Sequence, residues 1–445
     1  MVLQEKALNI LTNQALCNYC LGRQFSNLGT GTTNFHRGET IKTFLAMNFA
    51  ASFSEDNIYK LQLLSRSGSE IAKNALRMKE IEPEHTQICF ICEDHLKNIE
   101  QLVDIIIPEA KEYEFSSILV GTSLPENFLD REATIKKNFD TLQTEYLKQE
   151  FNRIIGKKLS KKLPTETNFQ SPEMVIEVEP LSLTFNLKIR PLYIYGRYLK
   201  FLRTIPQTRW PCNRCRGKGC DECNNTGKRY AESVEEIIEV EAVKLTQGVK
   251  GTLHGAGRED IDALMLGTGR PFVLEIEAPR IRSINLEELE KSTNKSAEGK
   301  VEVKNYRLSS KKEVIHIKGK AKDSIKKYRA LIEFEEPVAK DKIVILEKEF
   351  HDRIIKQRTP TRVSHRRADK IREKKVFSIQ NKKISEREFE ATITCDGGCY
   401  VKELISGDNK RTKPSVSEIV GINAICKKLD VIEIEEKPFV NENKN

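Results

Sequence analysis

The sequence predicts a multidomain α+β protein whose C-terminal half contains an antiparallel or mixed sheet. Its 445 residues are enough for two or three domains, at about 100 to 200 residues per domain. Helical patterns, such as those at 37–51 and 69–78, dominate the first 100 residues, whereas strand patterns dominate from Ser233 onward. Apolar and polar residues alternate strictly at 181–189, which is typical of a half-buried strand.

Changes in these patterns divide the chain into four predicted parts. They are a cysteine-containing N-terminal module (1–100), a compact α+β module (101–190), a linker with clustered cysteines (191–232) and a large C-terminal domain (233–440). Short apolar runs predict strands at 103–107 and 342–346, and helical patterns predict a long helix at 132–151 and a helix at 321–328.

The composition excludes fibrous and largely disordered classes of protein. Hydrophobic residues make up 38% of the chain and charged residues 31%, and the net charge is +9. No stretch approaches 18 consecutive apolar residues, and residues 1–16 have an amphipathic helical pattern without the apolar core of a signal peptide. We therefore expect neither a membrane span nor secretion, and we expect a cytoplasmic protein.

Eight of the eleven cysteines form four C-x-x-C pairs: Cys17/Cys20, Cys89/Cys92, Cys212/Cys215 and Cys220/Cys223. The last two pairs are separated by four residues, which brings four thiolates within reach of one tetrahedral ion. Zinc is favoured there, with an iron–sulfur cluster or no metal as alternatives. The first two pairs lie about 70 residues apart, so they form either a second structural zinc site in a folded module or two unrelated buried pairs.

Motifs for other cofactors are missing from the sequence. It contains neither a P-loop nor a complete G-x-G-x-x-G, and no histidine is followed two residues later by the glutamate that a zinc deaminase requires. We expect one or two structural zinc ions and no redox or nucleotide cofactor.

A basic segment, residues 356–375, holds nine Lys and Arg against two acidic residues, a local net charge of +7. The pattern predicts a loop that leads into a short basic helix from about Ser364. Such a charge density is typical of a surface that binds nucleic-acid phosphates, although a solvated charged face and an anionic membrane surface are alternatives. The arginines expected to contact RNA are Arg358, Arg362, Arg366 and Arg367.

The segment 254–272 carries the most distinctive motif, in which glycines flank a carboxylate cluster beside arginines and an apolar strand follows. Gly257-Arg258-x-Asp260 resembles the active-site loop of pseudouridine synthases. With further motifs it makes the chain similar to the archaeal tRNA pseudouridine synthase family that acts on T-loop uridines 54 and 55. Those motifs lie at 195–198, 206–212, 327–330, 357–369, 398–408 and 414–418.

This resemblance covers about 193–421, and the N-terminal half looks like the zinc and THUMP accessory region of the same family, with looser motifs. It implies a zinc-binding/THUMP module followed by a pseudouridine synthase catalytic domain. It also implies an isomerase that acts on tRNA, with no obligate protein partner evident. Whether position 54, position 55 or both are modified stays open.

The resemblance also implies roles for particular residues. Asp260 matches the nucleophile, which must be ionised and therefore needs a nearby cation. Lys402 occupies the position of that cation, where many relatives have Arg; a lysine offers a point charge and no bidentate fork. The residues that match substrate-binding positions are Tyr328, which stacks on the target base, Tyr400, Arg258, which holds the flipped nucleotide, and Leu404, which lines the pocket.

Two other classes of function compete with this one. A non-catalytic RNA-binding protein or tRNA chaperone would use the cysteine motifs and the THUMP-like module without needing Asp260. A THUMP-containing tRNA thiolation or methylation enzyme is disfavoured because the nucleotide-binding loops are missing.

Overall fold

The computed structural model describes residues 3–142, 144–320, 324–435 and 439, except for the side chain of Arg366. The chain forms two compact units, Met1–Arg190 and Pro191–Asn445. The finer division into four parts stays a prediction. No helix in the described ranges is long and apolar enough to cross a membrane.

The first unit begins with five helices: α1 (Leu3–Asn13), α2 (Asn18–Arg23), α3 (Asn34–Ala50), α4 (Glu55–Arg66) and α5 (Glu70–Arg77). Helices α3 and α5 confirm the two helices predicted for this part of the chain. A Thr or Ser side chain accepts a backbone hydrogen bond in the first turn of α3, α4 and α5 and so caps each helix. Three of the four cysteines from the first two pairs belong to the buried core of this unit.

The remainder of the first unit combines helices with a four-stranded sheet: α6 (Ile99–Ala110), β1 (Ser117–Thr122), α7 (Glu126–Asn138), α8 (Leu147–Lys162), β2 (Glu166–Thr167), β3 (Met174–Glu179) and β4 (Thr184–Ile189). The strand order is β2-β1-β3-β4, with β1 parallel to both neighbours and β3 antiparallel to β4. Strand β4 confirms the strand predicted from strict alternation.

Two sequence predictions for this unit are wrong. The predicted strand at 103–107 is part of α6, because Leu102, Val103 and Ile106 recur at helical spacing and bury one face of that helix. The single helix predicted at 132–151 is two helices, α7 and α8, separated by residues 139–146.

The second unit is built on a ten-stranded sheet: β5 (Leu192–Lys200), β6 (Lys250–Gly255), β7 (Leu264–Glu277), β8 (Val301–Leu308), β9 (Ile325–Phe334), β10 (Arg353–Arg358), β11 (Ile371–Lys383), β12 (Glu388–Asp396), β13 (Thr412–Lys413) and β14 (Ala424–Glu435). The order is β13-β10-β11-β12-β9-β14-β7-β5-β8, with β6 paired to β7. Only β14 and β7 are parallel among the described strands of this sheet, so the prediction of a mixed sheet is confirmed.

The helices of the second unit accompany this sheet: α9 (Val234–Thr246), α10 (Leu286–Ser296), α11 (Lys311–Lys320), α12 (Lys340–Glu349), α13 (Val401–Ser406) and α14 (Val416–Val420). The predicted strand at 342–346 is wrong, because it lies in α12, which buries Ile343 and Leu346 at helical spacing. The predicted helix at 321–328 is also wrong where the chain is described: β9 begins at Ile325, and residues 321–323 lie outside the described ranges.

The basic segment differs from its prediction as well. It comprises the end of β10, a short 3-10 helix (Thr361–Arg366) and the start of β11, so no regular basic helix begins at Ser364. Strands β10 and β11 are antiparallel neighbours, with Arg358 opposite Ile371. Strand pairing therefore distributes these cations over two adjacent strands and the segment that connects them.

Candidate active site and metal sites

A cavity of about 1080 Å³ in the second unit is lined by most of the residues that the sequence analysis selected for catalysis, substrate binding or RNA binding. It is lined by the aspartate loop (residues 256–263, which joins β6 to β7), by β9 and β14, and by the segments around the 3-10 helix and α13. The selected residues that line it are Arg258, Asp260, Tyr328, Arg362, Arg367, Tyr400 and Lys402. Residues from widely separated parts of the sequence therefore meet at one site.

Side chains from outside the aspartate loop hold its backbone in place. Four of them donate hydrogen bonds to its carbonyl oxygens: Arg270 to Ala256 (2.8 Å), Gln207 to Gly257 (2.9 Å), Lys200 to Ile261 (2.9 Å) and Arg203 to Asp262 (2.9 Å). A loop whose carbonyls are bonded in this way has little freedom, so the side chains that it presents to the cavity are preorganised.

A buried ion pair lies behind the loop. The Nε atom of Arg270 donates to Glu259 at 2.9 Å, and the two side chains are only 2% and 1% exposed. The hydroxyl of Tyr198 also donates to Glu259, at 2.9 Å. Burial is the largest single influence and would lower the pKa of Arg270, but the Glu259 carboxylate, with Tyr198 and Tyr328, raises the pKa on balance. Glu259 therefore links Arg270, on β7, to the loop that carries Asp260.

Asp260 lies between two cations at the cavity surface. Arg362 donates a hydrogen bond to its carboxylate at 3.1 Å, and Lys402 Nζ lies 3.6 Å from the other carboxylate oxygen. Lys402 donates its closest hydrogen bonds to Asp262, at 2.7 and 2.9 Å. Burial would raise the pKa of Asp262, but the hydrogen bond and charge of Lys402 hold it below its usual value.

Arg362 occupies a different place from the one the sequence suggested. The sequence predicts a contact with RNA phosphates, yet Arg362 bridges Asp260 and Glu403, with Nε donating to Glu403 at 2.6 Å. Burial works against its charged form, but these carboxylates raise the pKa of Arg362 further above its ordinary value. The two-point fork of the guanidinium contacts Glu403, and a single N–H of Arg362 reaches Asp260 from the 3-10 helix. Lys402 approaches Asp260 from α13.

The two tyrosines are held in different ways. Tyr328 lies on β9 and is 8% exposed, and burial followed by the nearby Cys395 raises its pKa well above the usual value, so its hydroxyl keeps its proton at neutral pH. Tyr400 precedes α13, and its hydroxyl accepts a hydrogen bond from Arg367 at 2.9 Å. Its backbone N–H donates to the side chain of Gln357, also at 2.9 Å.

The structure places some selected residues away from the cavity. Leu404 is completely buried in the core beneath α13, because helix periodicity turns it away, and the described apolar lining consists of residues such as Val401, Leu429 and Val431. Arg358 pairs with Asp369 at 2.6 Å. The Arg366 side chain lies outside the described atoms.

Lys326 is a cavity residue that the sequence analysis did not select. It is 6% exposed and lies two positions before Tyr328, so both side chains project from the same face of β9. Burial, with a smaller contribution from Arg270, lowers the pKa of Lys326 to about 7. The sequence signal for Lys326 was its position two residues before Tyr328, which places both side chains on one face of a strand. The wrong prediction of a helix at 321–328 concealed this signal.

The knuckle segment (residues 212–223, with its four cysteines) meets the geometric requirements for zinc. A tetrahedral ion with Zn–S bonds of about 2.3 Å separates its sulfurs by about 3.8 Å. The Cys212–Cys220, Cys215–Cys223 and Cys220–Cys223 sulfurs lie 3.9, 3.8 and 3.6 Å apart. The backbone N–H of Gly219 approaches Cys215 Sγ at 3.2 Å, in a left-handed conformation with φ of 91° that glycine adopts without strain.

The first two cysteine pairs also converge. The sulfurs of Cys17, Cys20, Cys89 and Cys92 all lie within 4.8 Å of one another, and three of these residues are buried. Cys17 Sγ and Cys92 Sγ are 3.6 Å apart. Folding therefore joins pairs that are distant in sequence into a second group of four thiols that can hold a metal ion.

A mixed sheet that presents a Gly-Arg-x-Asp loop beside a strand tyrosine is the arrangement expected of a pseudouridine synthase. The family model described as "Pus10, C-terminal" matches residues 193–435, and the model "Pus10 THUMP domain, archaeal" matches residues 102–179. The chain belongs to the Pus10 family of tRNA pseudouridine synthases, which are isomerases.

Curated relatives agree with this assignment. Proteins named "tRNA pseudouridine synthase Pus10" from Methanocaldococcus jannaschii and Methanothrix thermoacetophila are 42% and 40% identical to the chain. The alignments cover 96% and 97% of this chain and 93% and 94% of those proteins. A chain of a solved Cbf5-Nop10-Gar1 complex aligns with 18% identity over 45% of each chain and a TM-score of 0.28.

Replacing Glu259 with Gln should destabilise the second unit, because Arg270 would be left as a buried charge without its partner. We expect a loss of about 3–5 kcal/mol in the free energy of unfolding. Urea unfolding followed by emission of Trp210 measures it. Glu277→Gln, at an exposed carboxylate on the same strand as Arg270, is the control and should change stability by less than about 0.5 kcal/mol. Equal effects of both changes would contradict the role given to the ion pair.

Lys326→Met should stabilise the protein at pH 6 and lose this advantage as the pH rises. The folded pKa, about 7, is below the unfolded value of 10.5, so folding of the wild type requires proton release between these values and its stability rises with pH across this window. At 1.36 kcal/mol per pKa unit, the largest difference is about 5 kcal/mol. Unfolding curves from pH 6 to 10 test this, with the neighbouring Lys327→Met as control; a difference independent of pH would contradict it.

The two cysteine groups should bind two zinc ions per chain. Metal analysis of Cys212→Ser should find about one fewer zinc than the wild type, and so should Cys17→Ser, because three ligands hold zinc poorly in a structural site. Cys426→Ser, which changes a cysteine outside both groups, is the matched control. Unchanged zinc content in either ligand variant would contradict the assignment of that site.

Proposed function

We propose that this protein converts uridine to pseudouridine in the T-loop of tRNA, at position 54, position 55 or both, with Asp260 as the nucleophile. The observation that carries the proposal is the position of the Asp260 carboxylate, in the cavity and within 4 Å of both Arg362 and Lys402. A nucleophilic carboxylate has to be ionised and aimed at its target, and these two cations come from different elements of the fold.

The reaction needs no co-reactant. Asp260 attacks the target nucleotide and forms a transient bond to it, and the bond between N1 of uracil and C1′ of ribose breaks. The detached base turns so that C5 bonds to C1′, and the bond to Asp260 breaks again, which regenerates the free carboxylate. The proton that leaves C5 is balanced by the proton gained at N1. Because nothing is oxidised or reduced, the reaction requires positioning and proton transfer alone.

Residues around Asp260 suit these tasks. The protonated hydroxyl and ring of Tyr328 provide a stacking face and a hydrogen-bond donor beside the base. Lys326, on the same face of β9, can gain or lose a proton near neutral pH. Tyr400, tied to Arg367, bounds the other side of the site. We assign Tyr328 and Tyr400 to substrate binding, and Lys402 together with Arg362 to holding the nucleophile.

Access to a uridine in folded tRNA requires that the base leave its stack, which costs a few kcal/mol. We assign Arg258, exposed two residues before Asp260, to holding the displaced nucleotide. Arg358, Arg366 and Arg367 are assigned to the RNA backbone. The region matched by the THUMP model is a further surface for tRNA, which we propose as the partner in a cytoplasmic reaction, with structural zinc in both cysteine groups.

Asp260→Asn should abolish pseudouridine formation while tRNA binding persists. We expect the rate to fall at least about a thousandfold, because the amide cannot act as the nucleophile. The measurement is pseudouridine mapping at single-nucleotide resolution on an unmodified tRNA transcript, together with the binding affinity. Asp352→Asn is the matched control: it neutralises an exposed carboxylate paired with Lys375, outside the cavity lining.

Each other outcome has a separate meaning. Full activity of Asp260→Asn would remove Asp260 as the nucleophile, and product outside the T-loop would overturn the proposed position. Tight tRNA binding without product from the wild type would make the protein a non-catalytic RNA-binding module.

A further inference from the structure

The knuckle segment brings two aromatic residues together across its base. Trp210 precedes the first cysteine and Tyr230 follows the last, and the ends are joined by a β-bridge between Pro211 and Lys228. The backbone N–H of Arg229 also donates to the Trp210 carbonyl at 2.9 Å. As a result, the two rings lie 5.7 Å apart in an edge-to-face arrangement of 77°.

These rings belong to the same cavity as the proposed nucleophile. Trp210 and Tyr230 are both half-buried and line the cavity that contains Asp260. The guanidinium of Arg258 lies 4.7 Å from the centre of the Trp210 ring, and that of Arg229 lies 5.6 Å from it. The chain thus places a half-buried aromatic surface beside the aspartate loop, with the guanidinium groups of Arg258 and Arg229 against Trp210.

We propose that Trp210, held against Tyr230 by the knuckle segment, binds an unpaired nucleobase next to the target uridine by stacking. This inference rests on the proposed function, because it names a second nucleotide site for the same RNA substrate. Aromatic rings bind single-stranded bases in this way with little regard to sequence, since every base offers a π-face. Without RNA, the guanidinium of Arg258 lies over the face of the Trp210 ring.

The size and charge of the surroundings favour a nucleotide. The cavity volume of about 1080 Å³ exceeds the range of about 300–1,000 Å³ that is common for small-molecule pockets, so there is room beyond the target base. Residues 209–230 include six Lys and Arg against two acidic residues. Arg214, Arg216 and Lys218 among them are exposed, and can contact the phosphates on either side of a stacked base.

An exchange at Trp210 couples this site to Asp260. A stacked base contributes more than a cation–π contact at an exposed position, so an arriving base displaces the Arg258 guanidinium. Arg258 is two residues from Asp260. Once displaced from Trp210, its guanidinium is available to contact the RNA bound next to Asp260. A zinc ion held by the four cysteines would contribute only by fixing the knuckle segment, which in turn holds the Trp210 ring.

The emission of Trp210 tests the proposal directly, because this is the only tryptophan in the chain. Titration of the full-length protein with an unmodified tRNA transcript should quench the emission to saturation, as stacking on a base does. A fully paired RNA duplex of equal length, which offers no unpaired base, should quench much less. Unchanged emission at saturating tRNA, or equal quenching by the duplex, would overturn the proposal.

Kinetics of variants provide the second test. Trp210→Ala should lower kcat/KM by about 5- to 150-fold, mainly through KM, because one stacked base is lost. Trp210→Phe, which keeps a stacking face, should recover most of this loss. Cys212→Ser should raise KM like Trp210→Ala and shift the Trp210 emission even without RNA. The control is Phe201→Ala, at an exposed aromatic of the same unit outside the cavity lining.

Failure of the proposal differs from failure of the proposed function. If the wild type makes pseudouridine and Trp210→Ala retains the wild-type KM, the stacking site is wrong while the reaction stands. Equal losses in Trp210→Phe and Trp210→Ala would also overturn stacking. If the wild type makes no pseudouridine, the emission titration still decides whether a base stacks on Trp210.

Discussion

The buried ion pair between Arg270 and Glu259 is the interaction on which the candidate active site depends. Both side chains are almost completely removed from water, so each charge needs the other, and Tyr198 supplies a further hydrogen bond to the carboxylate. Through the same pair, Arg270 on β7 is fixed to the aspartate loop, whose carbonyls accept hydrogen bonds from four separate side chains. The buried ion pair and these hydrogen bonds together determine where the loop places Asp260.

Charge at the cavity surface is arranged by elements that are distant in sequence. Asp260 faces Arg362 from the turn after β10 and Lys402 from α13, while Asp262 takes the closest contacts of Lys402. Arg362 directs its two-point contact at Glu403 and makes one hydrogen bond to Asp260. Lys402 is shared between Asp260 and Asp262, so two cations together hold the position of the Asp260 carboxylate. Strand β9 adds a protonated tyrosine and a lysine whose pKa is lowered to about 7, and both project from the same face of the sheet.

Sequence reasoning succeeded where the signal is local. Helices α3 and α5, strand β4 and the mixed sheet followed from periodicity, and the spacing of the knuckle segment matched the sulfur separations that zinc requires. It failed for 103–107 and 321–328, where short apolar or charged runs fit both helix and strand until tertiary packing selects one. The second error concealed Lys326, whose role in the cavity depends on alternation along β9.

By itself, the sequence determined the chemistry-bearing residue types, the cysteine pairs that can hold a metal ion and the motifs that relate the chain to pseudouridine synthases, because each is encoded within a few neighbouring residues. Only the tertiary structure decided which partners those residues meet. Arg362 fits a phosphate contact by its sequence context but bonds Asp260, and Leu404 fits a pocket position but fills the core. Such contacts join segments more than 100 residues apart, or depend on which face a short helix buries, and local sequence patterns carry no record of either.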